Sequence, residues 1–276
     1  MTIRLHPLGR RVHHDPRSRA YPYMATTATL VSVTHARQVP IWDQGNLGSC
    51  TGNAALGAVG TAPLYAAVPL AMRADLTEAE AKDIYSMATT LDGAPGTYPP
   101  TDTGSDGISA ASACKQAGWI SGYLNCFSLA AVQTALQSTP VIIGINWYSG
   151  FDSPDASGFV KVSGSVRGGH EVCLVGIDVV AETVTAANSW GEAWGADGYF
   201  TFSWADLGRL LSEWGDATVL LPLTAPAPVP VPPPTPTPST ADVALAAVLH
   251  KWLDGRPWFY QPVQAAARAW LAAKNL

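Results

Sequence analysis

The stretch Gln44-Gly-Asn-Leu-Gly-Ser-Cys50-Thr-Gly-Asn-Ala-Ala-Leu56 decides how the rest of the chain is interpreted. A glycine-rich turn delivers one cysteine onto an apolar run, which predicts a helix that begins near Cys50. A thiol at a helix N-terminus faces unpaired backbone N–H groups and the positive end of the helix dipole, which favour the reactive thiolate. Ser49 is a residue type that caps helices. The stretch therefore predicts that Cys50 is a nucleophile held at the start of a helix. Its catalytic partners must lie elsewhere in the chain.

Length and charge limit the classes of protein. The chain has 276 residues, a net charge of −5 and only 13% charged residues. Nucleic-acid-binding proteins carry a basic patch or stripe, so we expect no nucleic-acid partner. No apolar run approaches the roughly 18 residues of a membrane span, and no signal-peptide pattern is visible. We therefore expect a soluble protein without a membrane span.

The cysteines do not form a metal motif. Their spacing is neither that of a zinc site nor that of a disulfide scaffold, so we expect no metal. A bridge between Cys114 and Cys126 stays open, because spacing alone cannot fix a disulfide. The four cysteines are Cys50, Cys114, Cys126 and Cys173.

Composition divides the chain into four segments. Residues 1–37 form an irregular N-terminal arm whose clustered arginines show no amphipathic period, so we expect a solvated arm lying over the domain. Residues 38–221 form the main domain. Residues 222–240 are a proline-rich linker, and residues 241–276 have the periodicity of a helical hairpin. The aromatic residues of that C-terminal module are either its miniature core or an anchor for a protein or cell-wall partner.

The main domain begins with helices and continues with strands. Helices are predicted over 51–64, 78–90 after the capping box Thr77-Glu-Ala-Glu80, 108–117 and 129–136. Strands are predicted over 29–33, 141–147, 160–166, 169–177, 180–187 and 199–204. This order favours an α+β fold, with a helical half packed on a mostly antiparallel sheet and a site in the cleft between them.

Two stretches of the sheet half can complete the site. His170 opens an apolar strand and is a candidate general base for Cys50, although a lone histidine is also compatible with a core residue satisfied by the backbone. Asn188 can accept the imidazole N–H that faces away from the thiol, and Trp190 can shield that bond from water. The side-chain amide of Gln44 and the Cys50 backbone N–H can both point at a developing oxyanion.

These residues together resemble a papain-like cysteine peptidase. The matching segments are Gln44-Gly-Asn-Leu-Gly-Ser-Cys50, Gly169-His170 and Asn188-Ser-Trp-Gly-Glu-Ala-Trp-Gly-Ala-Asp-Gly-Tyr199, in the family's order. The resemblance implies a two-lobed fold, no cofactor and no metal. It also implies Cys50 as nucleophile, His170 as acid and base, Asn188 as orienting residue and Gln44 as oxyanion donor.

The resemblance also implies a place for the substrate. The loop through Gly104 and Ser105 would be the ridge along which an extended peptide lies, and Gly169 and Trp190 would line the same cleft. The family usually has two glycines where this chain has Gly104 and Ser105.

Three further features depart from the family pattern. Thr51 replaces an aromatic residue that commonly follows the nucleophile, which changes packing beside the site. Glu171 replaces a small residue after the histidine, and it either enters the cleft, where it would favour basic substrates, or faces solvent. The arm is shorter than the family's helical inhibitory propeptide, which argues against inhibition of that style.

Three functions remain in competition. The first is a cysteine peptidase that acts on a peptide or protein substrate through a thioester acyl-enzyme. The second is a cell-wall peptide or amide hydrolase of a phage or bacterium, suggested by the linker and the aromatic module. The third is a catalytically silent papain-like binding module. The location stays open: cytoplasmic, or virion-associated for a phage protein.

Overall fold

The computed structural model describes residues 5–155, 157–223, 243–249 and 266–271. The chain divides into two compact units, Met1–Thr224 and Ala225–Leu276. The first unit combines helices with an antiparallel sheet, so the predicted α+β fold is confirmed. No helix in the described ranges is both long enough and apolar enough to cross a bilayer.

Six α-helices lie among the described residues of the first unit, and four of them begin with a side-chain cap. Thr77, Asp106, Ser128 and Ser203 each accept the backbone N–H three residues on, which satisfies an amide that the helix itself leaves free. The helices are α1 (Cys50–Val59), α2 (Leu64–Ala67), α3 (Glu78–Leu91), α4 (Gly107–Gln116), α5 (Leu129–Ala135) and α6 (Trp204–Ser212).

The sheet has seven strands, all paired antiparallel. In chain order they are β1 (Val33–Thr34), β2 (Gly122–Asn125), β3 (Val141–Tyr148), β4 (Val166–Asp178), β5 (Thr183–Ala187), β6 (Tyr199–Ser203) and β7 (Asp216–Leu221). Their order in space is β2-β7-β3-β4-β5-β6, and β1 pairs with β4. The long strand β4 lies at the centre and carries His170 opposite Ile145 of β3.

Two hydrophobic cores hold this unit together. The first packs α1, α3 and α4 with one another and against the sheet, and every residue of α1 is buried. The second packs the other side of β3 and β4 against α5, α6 and a group of aromatic rings around Trp147. Because α1 is enclosed by helices and sheet, its N-terminus is fixed against β4.

The predicted strand over 160–166 is wrong. Val160 N–H donates to Thr201, whereas the Ser163 carbonyl accepts from Gly150, so the two ends of the segment pair with different parts of the chain. A ladder cannot form along it, and only the isolated bridge between Phe159 and Thr201 remains. The strands β2 and β7 and the helix α6 were not predicted.

The capping box is half formed. Thr77 accepts from Glu80 N–H as predicted, at 3.3 Å. The Glu80 carboxylate accepts instead from the indole N–H of Trp119, at 2.9 Å, which ties α3 to the end of α4. All four cysteines are free and buried, so Cys114 and Cys126 form no bridge.

The second unit is described in two helical pieces, residues 243–249 and 266–271. Ala246, Ala267 and Leu271 form a small buried cluster, against which Leu249 and Trp270 pack. The other aromatic residues predicted for this module, Trp252, Trp258, Phe259 and Tyr260, lie outside the described residues, as does the proline-rich linker beyond Leu223.

Candidate active site

Cys50 is the first residue of α1 and is fully buried. Ser49 occupies the N-cap position, but its side chain makes no capping bond to the helix. Burial raises the pKa of the Cys50 thiol to about 12, although the backbone N–H groups of Glu171, Gly9 and Thr51 act in the opposite direction. In this conformation the thiol is therefore neutral.

His170 lies on β4 with its ring enclosed by two tryptophans. Its Nε2 is 2.7 Å from Oδ1 of Asn188, while Nδ1 has no hydrogen-bond partner among the described residues. The ring centroids of Trp147 and Trp190 are 4.9 and 4.8 Å from that of His170. Burial lowers the pKa of His170 to about 4, against the effect of the Asn188 bond, so the imidazole is neutral here.

A chain of hydrogen bonds fixes the Asn188 and Gln44 amides. Asn188 Oδ1 also accepts Ser189 N–H at 2.8 Å, and the Ser189 hydroxyl donates to Gln44 Oε1 at 2.5 Å. Because Oε1 is occupied, Gln44 Nε2 points the other way, toward the carbonyls of Leu47 at 2.8 Å and Pro7 at 3.3 Å. The Trp190 ring lies beside this chain, tilted by 36° to the His170 ring.

The cleft is occupied by residues 5–14, which we call the arm segment. Its backbone pairs with both walls: Ser105 N–H donates to Gly9 O at 2.9 Å, and Arg10 N–H donates to Gly169 O at 3.0 Å. The ring of His6 stacks on Trp190 at 4.6 Å between centroids. The four residues predicted to bind substrate, Gly104, Ser105, Gly169 and Trp190, all lie against this segment.

The arm segment covers the turn that leads to Cys50. Gly9 packs so closely on Gly48 that a β-carbon on Gly9 would collide with the Gly48 carbonyl. The Arg10 side chain has no exposed surface, so the expectation of a solvated arm is wrong for this residue. Sequence patterns did not reveal it because Arg10 is buried by partners more than 90 positions away.

Two of the departures from the family pattern lie in the walls of the cleft. Thr51 is fully buried, and its hydroxyl has no partner within the described chain. Glu171 is also buried, close to Asp216 and to the Arg10 side chain, so it enters the cleft rather than solvent. Burial and the neighbouring Asp216 charge raise the pKa of Glu171 well above its ordinary value.

Sequence reasoning also missed a link between the nucleophile turn and the substrate ridge. Asp102 accepts Gly48 N–H at 2.8 Å and the Tyr85 hydroxyl at 2.5 Å. The Tyr85 oxygen in turn accepts Gly104 N–H at 2.9 Å. Tyr85 was assigned only to the buried face of its helix, and a buried hydroxyl that needs a partner was the available signal.

Comparison with known families supports the resemblance. Residues 97–207 match the family model described as papain family cysteine protease. That range contains His170 and Asn188, whereas Gln44 and Cys50 lie before it.

Curated relatives match shorter stretches. An uncharacterized peptidase C1-like protein of Acanthamoeba polyphaga mimivirus is 37% identical over 70 residues, which are 24% of this chain and 22% of that protein. The cathepsin B-like cysteine proteinase 6 of Caenorhabditis elegans is 38% identical over 73 residues, 25% of this chain and 19% of that protein. The chain therefore spans about a fifth of the length of these relatives.

Solved structures show the same fold at low identity. Xylellain, a cysteine protease from Xylella fastidiosa, superimposes with a TM-score of 0.57 at 19% identity, over 79% of this chain and 96% of that one. A digestive procathepsin L 3 from the larval midgut of Tenebrio molitor gives 0.51 at 18% identity, over 78% and 75% of the two chains. The fold is papain-like.

Proposed function

We propose that this relative of the papain family cysteine proteases hydrolyses peptide bonds with Cys50 as nucleophile. The observation that carries the proposal is the orientation of His170. Its Nε2 is held by Asn188, while its buried Nδ1 is left without a hydrogen-bond partner in the described chain. A ring nitrogen kept free in this way is available to exchange a proton with a thiol, and we assign that thiol to Cys50.

The chemistry follows from these positions. His170 takes the proton of the Cys50 thiol, and the thiolate attacks the carbonyl carbon of the scissile bond. Gln44 Nε2 and the Cys50 backbone N–H donate to the resulting oxyanion. The C–N bond then breaks, the amine leaves with the proton from His170, and a thioester remains. His170 next removes a proton from water, which attacks the thioester and regenerates the thiol.

The arm segment has to leave the cleft before a substrate binds. It holds the backbone groups of Ser105 and Gly169 that an extended peptide would use, and its Pro7 carbonyl lies 3.3 Å from Gln44 Nε2. The buried, neutral thiol–imidazole pair thus describes a resting state. Removal of the segment lets water reach both groups, which brings the pKa values of thiol and imidazole closer together.

Replacement of single residues tests the proposal. We expect Cys50→Ala to abolish hydrolysis of a mixed peptide library, and Asn188→Ala to lower kcat by about a hundredfold, because the imidazole loses its orientation. Cys114→Ala is the matched control, because it removes another fully buried thiol, which lies on α4 in the first hydrophobic core. Circular dichroism checks folding. Unchanged turnover in Cys50→Ala would contradict the assignment.

The two alternatives make different predictions. A cell-wall hydrolase would release peptides from purified peptidoglycan, but the linker and most of the C-terminal module that suggested it lie outside the described residues. A silent binding module would show no preferential reaction at Cys50 over Cys114, Cys126 and Cys173 once the arm segment is loosened. Mass spectrometry of thiol-labelled protein distinguishes that outcome from the proposed peptidase.

A further inference from the structure

A buried acidic pocket lies beside the candidate nucleophile, and the arm segment places an arginine in it. The Arg10 guanidinium donates to the Asp216 carboxylate and, from the same nitrogen, to the Trp214 carbonyl at 2.6 Å. The side chain of Arg10 has no exposed surface, and that of Asp216 is 11% exposed. Glu171 completes the pocket and is 1% exposed.

The space for the pocket exists because two residues that adjoin it, Gly144 and Gly107, are glycines. A β-carbon on Gly144 would lie 2.7 Å from Glu171 Oε2 and 2.7 Å from Asp216 Oδ2. A β-carbon on Gly107 would collide with Glu171 Oε1. A larger residue in place of Gly144 on β3 or of Gly107 at the start of α4 would therefore fill the space that now receives the guanidinium.

The hydrogen bonds inside the pocket are incomplete on both sides. Both carboxylate oxygens of Glu171 and Oδ1 of Asp216 are buried without a hydrogen-bond partner in the described residues, and so are Nε and Nη1 of Arg10. The negative charge of Asp106 acts on both groups as well. Without the Arg10 guanidinium these buried carboxylates would be costly, because their desolvation would not be offset by pairing. The pocket is therefore suited to a cationic guest with several donors.

The pocket adjoins the reacting groups. The Arg10 backbone N–H is bound by Gly169, the residue before His170, and the adjacent Gly9 and Arg11 pair with Ser105. Any peptide that takes over these backbone bonds places one side chain at the pocket mouth. A guanidinium suits it better than an ammonium, because its planar fork offers five donors.

We infer that this pocket, formed by Glu171 and Asp216, selects an arginine side chain of the substrate, and that Arg10 fills it as a built-in mimic. The inference rests on the proposed peptidase function for its consequence in catalysis. The recognition itself is a binding property that does not depend on cleavage.

The test uses the full chain carrying Arg10→Ala, which empties the pocket. A peptide library with arginine, lysine, leucine or citrulline at each position around the cleaved bond reports kcat/KM. Citrulline matches the shape of arginine without its charge. At one position we expect arginine to exceed citrulline by at least about tenfold, with lysine between them.

Pocket variants then assign the preference. Adding Glu171→Gln or Asp216→Asn is expected to reduce the arginine-to-citrulline ratio about tenfold, and because both peptides are cleaved by the same variant, any general change in activity cancels in this ratio. Glu192→Gln, which removes an exposed charge outside the pocket, is the matched control and keeps the ratio. Equal cleavage of arginine and citrulline peptides at every position would overturn the inference while leaving the peptidase function intact.

A binding measurement covers the case in which no peptide is cleaved. Calorimetry on the Arg10→Ala chain compares synthetic His-Pro-Leu-Gly-Arg-Arg, the sequence of residues 6–11, with the version carrying citrulline at the position of Arg10. Any remaining competition from the arm segment weakens both peptides equally, so the ratio of dissociation constants is unaffected. A tenfold ratio without cleavage refutes the function alone, and a ratio near one refutes the pocket.

Discussion

At the scale of single residues, the state of the thiol decides reactivity. An exposed cysteine is partly ionised near neutral pH, whereas burial raises the pKa of Cys50 to about 12. The imidazole of His170, its proposed partner, is neutral in this conformation, because burial lowers its pKa to about 4. In the proposed mechanism the two groups become an effective nucleophile and base only after water enters the cleft.

This predicts slow alkylation of Cys50 in the native chain. A raised thiol pKa lowers the thiolate fraction at every pH below about 12, so at pH 8 iodoacetamide should modify Cys50 about a thousandfold more slowly than the same cysteine in urea. The rate should still be rising at pH 10. Peptide mapping by mass spectrometry measures it, and labelling equally fast in native and unfolded protein would refute the prediction.

At the scale of elements, the Asp102–Tyr85 link connects α3, the nucleophile turn and the ridge. The Tyr85 hydroxyl donates to Asp102 and accepts from Gly104 of the same loop, and Asp102 in turn accepts Gly48 N–H of the turn before α1. Deletion of the hydroxyl leaves two groups that must find water or stay unpaired.

We expect Tyr85→Phe to lower the free energy of unfolding by about 1–3 kcal/mol, because two polar groups lose their shared partner. Urea denaturation followed by circular dichroism measures the change. Tyr98→Phe is the matched control, since its ring packs 5.4 Å from that of Tyr85 in the same region. Equal losses in the two variants would show that the link contributes nothing of its own.

The elements also show what a sequence can predict. Helix α3 and strand β3 were predicted because a capping box and a β-branched run are local signals. Strand β7 was not predicted, because it is defined by pairing with β2 and β3, which lie far away in the chain. Helix α6 contains Gly208, which weakens its local helical signal, and tertiary burial of Leu207 and Leu210 stabilises it instead.

The same distinction applies to the site. Cys50, His170 and Asn188 each stand in a short motif whose spacing carries information, so sequence alone could nominate them. The acidic pocket has no such motif. Its parts come from residues 10, 107, 144, 171 and 216, and only the fold brings them together.

At the scale of the whole molecule, we propose that the arm segment controls access to the cleft. Arg10 anchors it through Asp216, while His13 of the same segment pairs with Asp106 at 3.0 Å. Arg11 is the natural comparison, since its guanidinium donates only a long 3.4 Å bond to Thr103 O among the described contacts and remains half-buried.

We therefore expect Arg10→Ala to raise kcat/KM for leucine-containing peptides about tenfold, since loss of the anchor frees the cleft for a larger fraction of the time. Arg11→Ala should change it less than twofold. Initial rates under subsaturating substrate measure both. Equal rates for the wild type and Arg10→Ala would mean that the arm segment does not limit access.

Because the arm segment belongs to the chain it covers, its competition with substrate is intramolecular. Its effective concentration at the cleft is set by the connection through residues 15–32, which is itself held to Asn125 of β2 by backbone bonds of Tyr21 and Tyr23. Short connections of this kind give effective concentrations on the order of millimolar or higher. Dilution of the protein therefore does not release the arm segment from the cleft. Added peptides compete with an effective concentration that does not depend on the protein concentration. A single backbone cut in the exposed stretch 24–29 would make the competition intermolecular. Dilution alone would then release the arm segment and open the site.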